Sequence, residues 1–169
     1  SNHTSQLDPL IAIWMCPFGG CGVAKKEIAN IPFFGWVYQL AGHLLIDRSS
    51  PAKAISSMKE LVRLVEQLQL GVWIWPEGTR SLDGRLLPLK KGFVHMAIET
   101  KLPIVPIVDR NAQYRWPSKT MLLYPGDYEI EVLPSISTDD WSTDTLDQHI
   151  AYIERVYNEN LPPEQQSLT

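Results

Sequence analysis

The chain has 169 residues, with 15 Lys and Arg against 19 Asp and Glu, and a formal charge of −4. Such a length suits one domain that buries roughly two-thirds of its unfolded surface. The mild acidity excludes nucleic-acid or anionic-membrane binding through a diffuse basic face, so an anion must be met by a local cationic cluster.

In chain order, His3 and Asp8 come first. A five-residue offset in an ideal helix rotates about 500°, which does not put two side chains on one face. The two can meet only if residues 3–7 form a loop that enters a helix near Asp8, and the apolar residues 8–16 are read as that helix. The chain begins with Ser, and an α/β platform for such a loop usually has a strand just upstream. The natural chain is therefore expected to be longer, with a strand preceding residue 1. No signal peptide is visible, and no apolar run approaches the ~20 residues of a spanning helix.

Cys16 and Cys21 are the only cysteines. Without a histidine at ligand spacing they cannot complete a zinc site, and two reduced thiols beside a loop at Gly19, Gly20 and Gly22 are expected. Val23, Ala24 and Lys25 read as a short strand. Residues 31–41 are apolar and aromatic all round, which fits a core helix or one facing an apolar medium; core burial is the default. Gly42 stops it, and residues 43–46 form a strand that delivers Asp47 and Arg48.

Ser50 and Pro51 supply an N-cap and a first-turn proline. Ile55, Met58, Val62 and Val65, joined by Leu61 and Leu68, recur at helical spacing until Gly71. Residues 72–75 read as a buried strand ending at the Pro76–Arg80 turn. A helix over 92–100 and a strand over 104–108 follow. Residues 121–124 and 128–133 read as a hairpin across Pro125, Gly126 and Asp127, since Tyr128, Ile130 and Val132 alternate with Glu129 and Glu131. A last helix carries Leu146, Ile150, Ile153 and Tyr157 on one face. The polar residues 162–169 are expected to form a flexible tail. Alternating strands and helices give a three-layer α/β domain over residues 1–161, with a mixed central sheet flanked by helices. The chemically interesting residues follow strands, where ligands gather in such folds.

Two groups carry chemistry. His3 with Asp8 offers an imidazole and a carboxylate that fixes its tautomer, the needs of a general base. Glu77, Gly78, Thr79 and Arg80 offer a guanidinium fork and a glycine that admits backbone to an anion. Together they read as a site that holds an anionic substrate while a hydroxyl or water is deprotonated. The blander readings are a helix-capping Asp beside an exposed His, a local Glu77–Arg80 salt bridge, and Arg48 paired with Asp47. Lys90 and Lys91 are either anion contacts or a solvated face. His43 and His95 are read as structural.

The order of the blocks is more specific than any one of them. Asn2-His3-x-Ser5-x-x-Asp8 precedes Gly42-x-x-x-Ile46-Asp47-Arg48, then Pro76-Glu77-Gly78-Thr79-Arg80-Ser81, Lys90-Lys91-Gly92 and Leu102-Pro103-Ile104-Val105-Pro106-Ile107. This set resembles the glycerolipid acyltransferases of the 1-acylglycerol-3-phosphate (lysophosphatidic acid) acyltransferase type, from residue 2 to near residue 130. The resemblance implies an α/β acyltransferase domain. It implies catalysis by His3 and Asp8, and acceptor binding through Arg48 and the Glu77–Arg80 turn. Arg80 would be the principal phosphate ligand, Glu77 would fix the turn or pair with a cation, and Pro106 would shape the acyl site. The implied reaction moves an acyl group from acyl-CoA or acyl carrier protein to a lysophospholipid, giving phosphatidic acid in phospholipid biosynthesis. No metal or other cofactor is expected. A membrane surface is the expected setting, with the active site on its cytoplasmic side. Another acceptor for the same fold (glycerol 3-phosphate, another lysophospholipid or a non-phosphate lipid), a thioester or lipid hydrolase, and a non-catalytic lipid-binding module are the competing readings.

Overall fold

The computed structural model describes residues 1–47 and 49–168. The chain divides into two compact units, one formed by Ser1–Trp14 with the chain from Trp75 onward, the other by Met15–Ile74.

The Met15–Ile74 unit is built on three parallel strands, β1 (Gly20–Lys25), β2 (Leu44–Ile46) and β3 (Gly71–Trp73), in the order β2-β1-β3. Val23 registers with Leu44 on one side of β1, and Cys21 with Val72 on the other. Parallel neighbours need crossovers. The helix α2 (Phe34–Leu40) lies between β1 and β2, and α3 (Pro51–Leu68) between β2 and β3. Ser50 caps α3 by accepting the Lys53 N–H at 3.3 Å, as expected. The helix ends at Leu68, before Gly71, because Gln69 adopts the left-handed conformation and donates its N–H to Val65 O. Leu61 and Val65 are buried with Cys21, Val23 and Ile46, whereas Ile55 and Leu68 of the expected stripe are exposed.

Three expectations in this unit are corrected. Gly20 and Gly22 lie inside β1, not in a loop: a Cβ on Gly22 would come within 3.0 Å of the Tyr38 hydroxyl oxygen, so the glycine admits a close neighbour within a strand. The strand after α3 is only partly buried. Core burial of the apolar segment is not found at Phe33, Trp36 and Leu40, which are 75%, 62% and 88% exposed. An all-round apolar sequence does not say which medium it meets.

The other unit holds α1 (Asp8–Met15, up to Trp14), α4 (Gly92–Thr100), β4 (Ile107–Asp109), α5 (Ala112–Arg115), β5 (Ile130–Val132) and α6 (Leu146–Asn160). Its core joins Phe93, Val94 and Ala97 of α4 with Ile153 and Tyr157 of α6, and with Val108, Leu133 and Trp141. The expected hairpin is absent. β5 pairs antiparallel with β4, Asp109 opposite Ile130, while Met121–Tyr124 lie exposed outside any strand. The alternation of residues 128–132 marked a strand correctly but not its partner. The described residues after Leu161 are also tied to the rest of the unit, where a flexible tail was expected. Gln165 is buried, its carbonyl accepts the Leu86 N–H at 2.8 Å, and its side chain donates to Gln113 at 2.8 Å. The α/β class is as expected, but the mixed sheet is corrected: among the described residues the three-stranded sheet is all parallel, and the antiparallel pairing forms a separate two-stranded sheet.

Candidate active site

Residues 3–7 form the expected loop, and α1 starts at Asp8 with Pro9 in its first turn. His3 and Asp8 thereby meet, His3 Nδ1 lying 2.6 Å from Asp8 Oδ2. The same oxygen accepts the backbone N–H groups of Thr4 at 2.8 Å and Ser5 at 3.0 Å. Asp8 is 3% exposed. One buried carboxylate therefore shapes the loop and orients the ring. With Nδ1–H donating to Asp8, Nε2 keeps the lone pair and is the nitrogen able to take a proton.

The Pro76–Arg80 turn is joined to this loop by backbone. Glu77 is fully buried and accepts the His3 N–H on Oε1 at 2.7 Å and the Leu87 N–H on Oε2 at 3.3 Å. Ser81 N–H donates to His3 O at 2.8 Å. Gly78, with φ of 71°, makes the left-handed turn that lets Glu77 point inward while Thr79 and Arg80 stay exposed. Burial pushes the Glu77 carboxyl up to about 8 against the pull of its two backbone donors. Glu77 thus belongs to the turn's framework. An inward, fully covered carboxyl is not a substrate ligand, and that part of the expectation is corrected.

Arg80 makes no hydrogen bond or ion pair among the described residues, so the Glu77–Arg80 salt bridge is not formed. Arg80 is exposed, and the residue after it, Ser81, is the one bonded to the His3 backbone. Lys90 is exposed, and its N–H donates to Pro76 O at 2.8 Å, which ties the start of α4 to the same turn. Lys91 is engaged elsewhere, in a surface ion pair with Asp147 at 2.8 Å. Arg48 lies outside the described residues. His43 accepts the Gly22 N–H at 2.9 Å and packs against Tyr38, a structural role as expected, and His95 is exposed on α4. Cys21 is a buried free thiol, pushed up by burial to about 11.

Four residues were not legible as site residues. Trp75 stacks on the His3 ring with centroids 4.6 Å apart. Asn2 clamps Asp109 through two 2.8 Å bonds, its amide donating to the Asp109 carbonyl and accepting the Asp109 N–H. The Asp109 carboxyl accepts the Ala112 N–H at 3.1 Å and the Tyr128 hydroxyl. The available signal was a polar residue closing an apolar strand at its carboxyl end, immediately after the Leu102–Ile107 block.

Comparison with known proteins fits this geometry. The acyltransferase family model matches residues 1–109. The chain belongs to the acyltransferase family. Among similar members, the 1-acyl-sn-glycerol-3-phosphate acyltransferase of Limnanthes douglasii is 47% identical over 168 residues, 99% of this chain and 60% of that protein. The alpha form of that enzyme from Homo sapiens is 35% identical over 146 residues, 86% of this chain and 52% of that protein. This acyltransferase-family chain thus spans little more than half the length of these relatives. The crystal structure of the 1-acyl-sn-glycerophosphate acyltransferase PlsC of Thermotoga maritima superposes with a TM-score of 0.74 at 23% identity, covering 94% of this chain and 62% of that one. The α/β acyltransferase fold expected from the sequence is the fold of this chain.

Proposed function

We propose that this chain transfers a fatty acyl group from an acyl thioester, acyl-CoA or acyl carrier protein, to the free hydroxyl of 1-acyl-glycerol-3-phosphate, giving phosphatidic acid. The observation that carries the reading is the His3–Asp8 pair, with Nδ1 committed to a buried carboxylate and Nε2 left basic. His3 Nε2 takes the hydroxyl proton as the oxygen attacks the thioester carbonyl, and Asp8 stabilises the imidazolium. The tetrahedral intermediate then collapses, the C–S bond breaks, and the proton passes from His3 to the departing thiolate. Family membership and the names of the relatives support this chemistry.

The acceptor phosphate is assigned to Arg80, with Thr79, Gly78 and Lys90 around it and Arg48 as a further cation. Lys91, held by Asp147, is the weakest member of the expected set. Arg80→Lys keeps the charge but loses the planar fork. The expected result is an acceptor KM raised about 10-fold with thioester KM little changed, an effect of roughly 1.4 kcal/mol. Acylation of a panel of lyso-acceptors with one acyl thioester is the test of the function itself. Preference for an acceptor without phosphate, or thiol release independent of acceptor, would overturn the assignment.

The reading includes a membrane surface, with the active site on its cytoplasmic side, where the thioester donors are found. No helix among the described residues is long and apolar enough to cross a membrane. The support is the exposed apolar segment around α2, with Phe33, Trp36, Val37 and Leu40. Replacing Phe33 and Trp36 together by Ser is expected to weaken flotation with phospholipid vesicles severalfold and leave the circular dichroism unchanged. Equal binding by the folded variant would remove this segment as the docking surface.

A further inference from the structure

The donors identified on Asp8 (His3 Nδ1 and the N–H groups of Thr4 and Ser5) all meet Oδ2. Oδ1 is buried and has no donor among the described residues. The Asp109 carboxyl, itself only 2% exposed, is a neighbour of the Asp8 side chain. Two carboxylate oxygens repel unless a proton lies between them, and two carboxyl groups this close in a dry site do not both ionise. The Asp8 oxygen that already receives three N–H groups marks Asp8 as the carboxylate of the pair. The proton then resides on Asp109.

Asp109 is fixed for such a task. Asn2, the residue before His3, clamps its backbone from both sides, Ala112 N–H meets one carboxyl oxygen, and the Tyr128 hydroxyl meets the other. We propose that Asp109 is a positioning residue: as a neutral carboxylic acid it donates its O–H to Asp8 Oδ1 and, backed by Tyr128, holds the Asp8 carboxylate against His3. Burial, reinforced by the charge of Asp8, pushes the Asp109 carboxyl up to about 7, the direction this arrangement requires. The local chain is thus Tyr128–Asp109–Asp8–His3, in which a single proton satisfies the one open oxygen of the dyad. The proposal rests on the reading of His3 as general base and adds a residue that touches no reacting atom.

The test compares Asp109→Ala, Asp109→Asn and Tyr128→Phe with wild type, using His3→Ala as the control. The readouts are kcat, acceptor KM and the low-field proton resonance of His3 Nδ1–H. Asp109→Ala is expected to lower kcat about 10- to 100-fold, less than removal of the base, with acceptor KM within about twofold. Its low-field resonance should move upfield or broaden. Asp109→Asn carries an N–H where the acid carries O–H, and is expected to recover kcat to within about threefold of wild type together with the resonance. Tyr128→Phe, which leaves Asp109 without its backing hydroxyl, should lower kcat about two- to fivefold. Equal impairment in the Ala and Asn variants, or an unchanged resonance in Asp109→Ala, overturns the proposal. Should the Ala variant not fold, an Asn variant below about a tenth of wild-type kcat overturns it alone. An active His3→Ala would instead remove the general base, and the resonance would still report whether Asp109 acts on the Asp8–His3 bond.

Discussion

His3→Ala is expected to lower kcat for acyl transfer by about 10²- to 10⁴-fold while the fold and acceptor KM stay close to wild type. The separation follows from how His3 is attached. Its structural work is done by backbone: the N–H bonds Glu77 and the carbonyl accepts from Ser81, and alanine preserves both. What alanine removes is the ring, with its bond to Asp8 and its stacking on Trp75. Asp8→Asn should also lose most activity, but no more than His3→Ala, because it misorients the base without deleting it. It should lose stability as well, since Oδ2 of Asp8 accepts the Thr4 and Ser5 N–H groups that shape the loop. Turnover measured on protein shown to be folded decides the matter, and near-wild-type turnover in His3→Ala ends the mechanism.

The difference between these variants also marks what a sequence can reveal. The His3–Asp8 pair was legible because both residues sit in one short segment, whose spacing excluded a helix throughout and required a loop. The helices α3, α4 and α6 were legible from local signals: Ser50 with Pro51, and apolar recurrence at three and four residues. Contacts between distant segments were not. The alternation of Tyr128, Ile130 and Val132 marks an extended segment, yet nothing in it names β4 as the partner in place of its sequence neighbour 121–124. Asn2 and Asp109, joined across 107 residues, carry no spacing that links them. The same limit applies to the segment around α2, where Phe33, Trp36 and Leu40 look like core by composition and lie exposed. Hydrophobicity predicts that water is avoided and leaves open what replaces it. In the Glu77–Arg80 turn, a local charge pair was the blander reading of two opposite charges three residues apart. Burial separates the two, turning Glu77 inward to serve backbone and leaving Arg80 outside.

That inward turn makes Glu77 the position with the largest expected effect on stability. Glu77→Ala leaves the His3 and Leu87 N–H groups without acceptors in a buried site, at about 1–3 kcal/mol each. A total loss of about 2–5 kcal/mol is expected by urea denaturation, and activity per folded molecule should fall because His3 loses its anchor. Glu77→Gln separates the acceptor role from the charge. The folded Glu77 carboxyl is raised to about 8 from an ordinary 4.5, so between those values the folded state holds a proton that the unfolded chain has released. The stabilisation from that bound proton is complete below about 4.5 and is lost as pH rises through about 8. Asp109, raised from 3.8 to about 7, acts with the same sign over a lower window. Wild type is therefore expected to lose unfolding free energy between pH 5 and pH 8. Glu77→Gln, which has no proton to lose, should show a clearly shallower decline, with the remainder coming from Asp109. Parallel pH dependence in wild type and Glu77→Gln would show that Glu77 is ionised throughout, with its two backbone donors outweighing burial. In that case Glu77→Ala should still be destabilising, since the orphaned N–H groups do not depend on the charge of the residue removed.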